Sequence, residues 1–189
     1  MKAVILEMPQ EWLDERHRLD LDRKDEMWDG VLHVVPPASS AHNEVGARLT
    51  TVFHPLAAAR GLRTFVEPGV FDPAVPGMTS YRVADVGFAR PEHVTTRGIE
   101  GRAALLVEIL SPSDESYEKL PFYRGVGVEE LLYVNPATRA FEVRRPDADG
   151  WLVAGADHQG WVGLASLGLG LRTVKARLQV RTPDGIEEL

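Results

Sequence analysis

Leu105-Leu106-Val107-Glu108-Ile109-Leu110-Ser111-Pro112 is a run of strand formers with one carboxylate in its middle. Side chains alternate along a strand, so Glu108 points to the face of Leu106 and Leu110, while Leu105, Val107 and Ile109 point to the other. Both faces are apolar, which marks the strand as buried on both sides. A carboxylate there is costly unless it is protonated, paired, hydrogen-bonded or bound to a cation. The compensation must come from elsewhere in the chain.

Upstream, Tyr81-Arg82-Val83-Ala84-Asp85-Val86-Gly87-Phe88-Ala89 reads as a second strand with a carboxylate among apolar residues. Downstream stands Lys119, the only lysine between Lys24 and Lys175. Hard cations such as Mg²⁺ take oxygen ligands, commonly one or two carboxylates with retained water. Asp85 and Glu108 meet that description if their strands are neighbours, and a nearby lysine can orient a water or stabilise developing negative charge. On the residues alone each has a second reading. Glu108 can be a structural carboxylate bonded to backbone or to an arginine, and Lys119 can pair with Glu115 at i, i+4 on a surface helix.

The 189 residues, with 44% hydrophobic and 26% charged, suit one globular domain spanning 1–189, with 1–24 as a peripheral helical segment. There is no cysteine, so any metal is held by oxygen or imidazole. No apolar run reaches the roughly 18 residues of a membrane span and the start is too short for a secretory signal, so no membrane partner and a cytoplasmic location are expected. The net charge of −7 argues against a broad nucleic-acid-binding surface but leaves room for a local basic groove.

Along the chain, Pro9 to Arg16 opens a short helix. Asp25 to Val35 forms a hairpin about Asp29-Gly30. Ser39 or Ser40 caps a helix to about Arg60, with Val45, Leu49, Val52 and Leu56 on one face. A strand from Leu62 to Phe71 is interrupted near Pro68-Gly69. After the Glu108 strand a helix begins either near Asp114, capped by Ser113 or Asp114 and kinked at Pro121, or near Leu120 with Pro121 in its first turn. Leu131 to Val134 is a strand, Phe141–Arg145 and Trp151–Ala156 pair across Asp149-Gly150, and the tail from Trp161 to Val180 ends in one more strand. The expected fold class is α/β (α+β), a mixed central sheet flanked by helices.

These segments, in this order, resemble the Uma-type restriction endonucleases, a bacterial group within the PD-(D/E)xK nuclease superfamily, over Pro9 to Val174. The matching motifs are Glu26-Met27-Trp28-Asp29-Gly30, Pro36-Pro37 with His42, Val83-Ala84-Asp85-Val86, Val107-Glu108-Ile109-Leu110-Ser111-Pro112-Ser113, Lys119 with Tyr123, and Gly127 to Pro136. The resemblance implies a restriction-endonuclease-like single domain and a Mg²⁺- or Mn²⁺-dependent endonuclease acting on DNA, commonly as a homodimer. It makes Asp85 and Glu108 metal ligands, Lys119 the catalytic lysine and Glu26 an acidic accessory residue. The superfamily's usual lysine position holds Leu110, so the lysine comes instead from the following helix. The other reading, from a different class, is an inactive nucleic-acid or protein interaction module that keeps the fold.

Overall fold

The computed structural model describes residues 3–5, 9–111 and 115–189. In chain order it contains β1 (Ala3–Ile5), α1 (Gln10–Arg18), β2 (Glu26–Trp28), β3 (Val31–Val34), α2 (Ser40–Ala58), β4 (Arg63–Val66), β5 (Gly69–Phe71), β6 (Tyr81–Val83), β7 (Val86–Ala89), β8 (Ile99–Glu100), β9 (Ala103–Ile109), α3 (Leu120–Gly125), β10 (Leu131–Val134), β11 (Phe141–Asp147), β12 (Gly150–Val153), β13 (Val162–Leu164), β14 (Leu169–Val174), β15 (Arg177–Thr182) and β16 (Gly185–Glu188). A 3-10 turn over Ser116–Lys119 leads directly into α3. The strands form three sheets, ordered β1-β3-β2-β6-β5-β8, β12-β11-β10-β9-β7-β4 and β13-β14-β15-β16.

The Glu108 strand is β9, near the middle of the second sheet, with every residue buried. Its alternation divides two cores. Leu105, Val107 and Ile109 join α2 and the third sheet in one, while Leu106 joins Tyr123, Leu131 and Tyr133 in the other. β9 runs antiparallel to β7 but parallel to β10. Parallel neighbours need a crossover, so the chain after Ile109 returns across one face of the sheet. It crosses the face that carries Leu106 and Glu108, and lays α3 there.

Several elements form as expected. The Asp29-Gly30 hairpin has φ of 52° and 89° at its two turn residues, the pattern of a type I′ turn. α2 starts where Ser39 Oγ accepts the His42 N–H, and Val45, Leu49 and Val52 are buried along it. Of the two helix starts weighed after β9, the second holds: α3 begins at Leu120 with Pro121 in its first turn, where a missing N–H costs nothing. The Ser113 or Asp114 cap lies outside the described residues. In segment 1–24, α1 is present as expected, and β1 adds a strand beside β3.

Two expectations are corrected. Tyr81 to Ala89 is not one strand but two, β6 and β7, in different sheets. The facing strand breaks too, at Glu67-Pro68, where Glu67 takes φ 51°. The two corners bond to each other, Glu67 N–H to Asp85 O and Ala84 N–H to Pro68 O. The tail is not one strand but the four of the third sheet. Its β14–β15 turn is Lys175-Ala176, both at positive φ, a hairpin turn without the Asn or Gly that normally announces one.

One buried carboxylate away from β9 shows what a purely structural role looks like. Glu130 accepts from Arg145 Nε (2.8 Å), Ala165 N–H (3.1 Å), Ser166 N–H (2.9 Å) and Ser166 Oγ–H (2.7 Å), tying β11 to the third sheet. Every acceptor position is used within the protein. Removing it in Glu130→Ala strands a half-buried guanidinium and two backbone donors, and the expected loss is about 3–5 kcal/mol of unfolding free energy, measured by urea denaturation. Metal response and cleavage per folded molecule stay as in the wild type.

Candidate functional site

The seam between the first and second sheets is where the polar residues converge. Glu26 comes from β2, Asp85 from the β6–β7 corner, Glu108 from β9 and Lys119 from the end of the 3-10 turn. Lys119 Nζ stands 2.8 Å from Glu26 Oε1 and 3.2 Å from Glu108 Oε1, and donates to Val83 O at 2.8 Å. The crossover places it there, since it must pass over the face that Glu108 shares with Leu106. Glu115, the alternative partner, instead meets His33 Nδ1 at 3.0 Å. The i, i+4 surface pair is therefore not formed.

Glu26 is held on both oxygens. Oε1 accepts the Val83 N–H (3.0 Å) besides Lys119, and Oε2 accepts the Trp28 indole N–H (2.6 Å). Such a group has little left to offer a cation; it fixes Lys119. Glu108, whose side chain is 3% exposed, accepts from Tyr123 OH at 2.6 Å on Oε1, while among the described residues Oε2 has only Lys119 at 3.4 Å. Asp85 is the most open of the set, with a side chain 20% exposed. Its Oδ2 accepts the Ile109 N–H at 2.7 Å and lies 3.2 Å from His42 Nε2, and Oδ1 has no protein partner among the described residues.

The electrostatics follow from burial and charge count. Burial pushes the Glu108 carboxyl up to about 8, opposed by Lys119 and reinforced by Asp85 and Glu26. For Lys119, burial disfavours the ammonium, but Glu108, Glu26 and Asp85 outweigh it and the amine is raised, so it stays charged. Tyr123 is lifted well above the ordinary phenol by burial and by Glu108, which keeps it a donor. Three acidic side chains share a single ammonium, and the shortage of positive charge falls on Glu108, which keeps its proton up to about pH 8.

That donor set suits a hard divalent cation. Among the described residues no group of three or more His, Asp or Glu could hold a metal by itself. Two carboxylates with retained water suffice for Mg²⁺, however, and the oxygens with fewest protein partners belong to Asp85 and Glu108.

The four residues expected from the sequence thus share one cluster. His42 and Tyr123 contact it as well. The sequence shows His42 as a first-turn residue of α2 and as a position of the family motif, but its approach to Asp85 is a long-range contact. It depends on Gly46, whose absent side chain lets α2 settle against Ile109, since a Cβ there would stand 3.2 Å from Ile109 Cδ1.

Comparison with known proteins bears on this arrangement. No curated protein matches the chain. Among solved structures the fold is similar to a crystal structure from Anabaena variabilis ATCC 29413 described as a putative nuclease belonging to DUF820, with a TM-score of 0.62 at 17% identity, covering 82% of this chain and 90% of that one. This likeness is one of fold, and the fold is the restriction-endonuclease-like one expected above. The family model Uma2, described as "Putative restriction endonuclease", matches residues 13–180, a span that holds Glu26, Asp85, Glu108 and Lys119 together, and the chain belongs to the Uma2 family.

Proposed function

We propose that this protein is a Mg²⁺- or Mn²⁺-dependent endonuclease that hydrolyses DNA phosphodiester bonds. The observation that carries this is the convergence of Glu26, Asp85, Glu108 and Lys119 at the seam of two sheets. The descriptions of the Uma2 family and of the Anabaena protein point to the same class of activity. Asp85 and Glu108 hold the cation, which when bound polarises a phosphate and lowers the pKa of a water. Lys119 orients that water or meets the charge that develops on phosphate. Its contacts to Glu108, at 3.2 and 3.4 Å, are longer than those to Val83 O and Glu26 at 2.8 Å. They are the ones it exchanges when substrate arrives, and Glu26 keeps the ammonium in place meanwhile. No helix among the described residues is long and apolar enough to cross a membrane, and two copies acting as a homodimer suit the cutting of both strands of a duplex.

The test is a titration of Mg²⁺ and of Mn²⁺ against the protein, following plasmid and single-stranded DNA cleavage alongside thermal stability. A cation that binds the native state raises the melting temperature. Saturable stabilisation accompanied by cutting supports the proposal. Neither response, at concentrations up to tens of millimolar, leaves the interaction module in its place.

A further inference from the structure

A carboxylate turns readily about its last torsion, so a ligand with two oxygens needs an outside partner to decide which of them faces a cation. Asp85 and Glu108, the two proposed ligands, each have such a partner. Asp85 Oδ2 is taken by the Ile109 N–H at 2.7 Å with His42 Nε2 at 3.2 Å, and Oδ1 has no partner among the described residues. At Glu108, Oε1 receives the Tyr123 hydroxyl at 2.6 Å, and among the described residues Oε2 keeps only the long Lys119 contact.

The two partners are themselves buried on helices. His42 sits in the first turn of α2, its N–H on Ser39 Oγ, with Gly46 allowing the helix close to β9. Tyr123 is fully buried in α3, with Phe122 against its ring. They reach the seam from different helices, α2 packing on the Ile109 side of β9 and α3 on the Glu108 side.

We propose that His42 and Tyr123 are positioning residues, each pinning one oxygen of one carboxylate so that the other oxygen of Asp85 and of Glu108 faces the divalent cation. This rests on the reading of Asp85 and Glu108 as the cation's ligands. Neither residue touches the reacting atoms. Their effect is on how well the cation is bound and on which cation is accepted. Because Mg²⁺ demands near-ideal geometry, loosening either ligand weakens Mg²⁺ more than Mn²⁺.

The experiment compares wild type with His42→Ala, His42→Gln and Tyr123→Phe. Metal-dependent thermal stabilisation and the solution EPR signal of free Mn²⁺ give the half-saturating concentration, and metal-free melting shows that each variant is folded. The half-saturating concentration rises about 10- to 100-fold in His42→Ala and Tyr123→Phe. His42→Gln recovers most of the loss, because its amide nitrogen falls near the place of imidazole Nε2. Cleavage in the folded variants climbs back toward wild type as metal is raised. Wild-type half-saturation in His42→Ala and Tyr123→Phe, with only the metal-free melting temperature lowered, would reduce both residues to packing and overturn the inference alone. If the wild type itself shows no response to either metal, the ligand reading fails and the inference falls with it.

Discussion

Glu108→Gln leaves the chain folded, removes its stabilisation by Mg²⁺ and Mn²⁺, and lowers divalent-dependent DNA cleavage by at least about a thousandfold. A bound cation supplies several kcal/mol of charge stabilisation in such a reaction, and each 1.36 kcal/mol is tenfold in rate. Glutamine keeps the shape of the side chain and can still accept the Tyr123 hydroxyl, which bonds Oε1 at 2.6 Å. It also carries no charge to bury, so the loss belongs to the chemistry and not to unfolding. Alanine at this site would instead leave Tyr123 and Lys119 facing a cavity.

The same variant has a pH signature. The ordinary carboxylate value is near 4.5, and in the fold burial pushes Glu108 up to about 8. Between those values the metal-free folded protein holds a proton that the unfolded chain releases. The stability this confers is full below about pH 4.5 and is lost as pH rises through about 8. Glu108→Gln removes that dependence. Without metal, its stability relative to wild type therefore climbs across pH 5 to 8, by at most about 1.4 kcal/mol per unit, as denaturation at each pH would read. With Glu108 as the proposed ligand, metal must displace the same proton, so the apparent Mg²⁺ affinity of wild type is expected to rise up to about tenfold per unit and level off above pH 8. Affinity that is flat across this range would mean that Glu108 is not a ligand.

What is legible in the sequence divides along physical lines. Glu108 can be read as a compensated charge because alternation on an apolar strand is a local signal, and local signals also mark Asp29-Gly30 and the Ser39 cap. The corner at Ala84-Asp85 cannot. Tyr81 to Ala89 keeps the composition of an unbroken strand, and the bend is matched by a turn at Glu67-Pro68 on the facing strand, to which it is bonded. That bend takes Asp85 out of the regular alternation and sets its carboxylate against the Ile109 N–H. Lys119 is legible as a candidate from its scarcity, but its reach depends on whether β10 lies parallel to β9, a matter of topology that no local pattern encodes. His42 and Tyr123 are visible only through the family motif, since each acts across tens of residues or from another element. The third sheet escapes a sequence reading because Lys175-Ala176 turns at positive φ without the residues that favour it.

Lys119→Met separates the two roles that the proposed function gives the lysine, in which the ammonium both stabilises the metal-free site and competes with the cation for it. Methionine retains most of the buried stem and removes the charge. Glu26 and Glu108 are then left close together with their shared partner gone, where Lys119 had stood 2.8 and 3.2 Å from them. Breaking a buried pair in this way costs about 3–5 kcal/mol, moderated below about pH 8 by the proton that Glu108 already holds, so the metal-free melting temperature falls. Metal binding moves the other way. With the competing ammonium gone, a divalent cation becomes the nearest source of positive charge, and its half-saturating concentration drops below that of wild type. Cleavage nevertheless falls by about 10²–10³-fold at saturating metal, the usual effect of deleting one group that stabilises developing charge. Tighter metal with slower cutting is the combination that only a catalytic lysine produces. A lysine that merely neutralised the empty site would give tighter metal with cutting equal to or faster than wild type, and this outcome would move the water-orienting role away from Lys119.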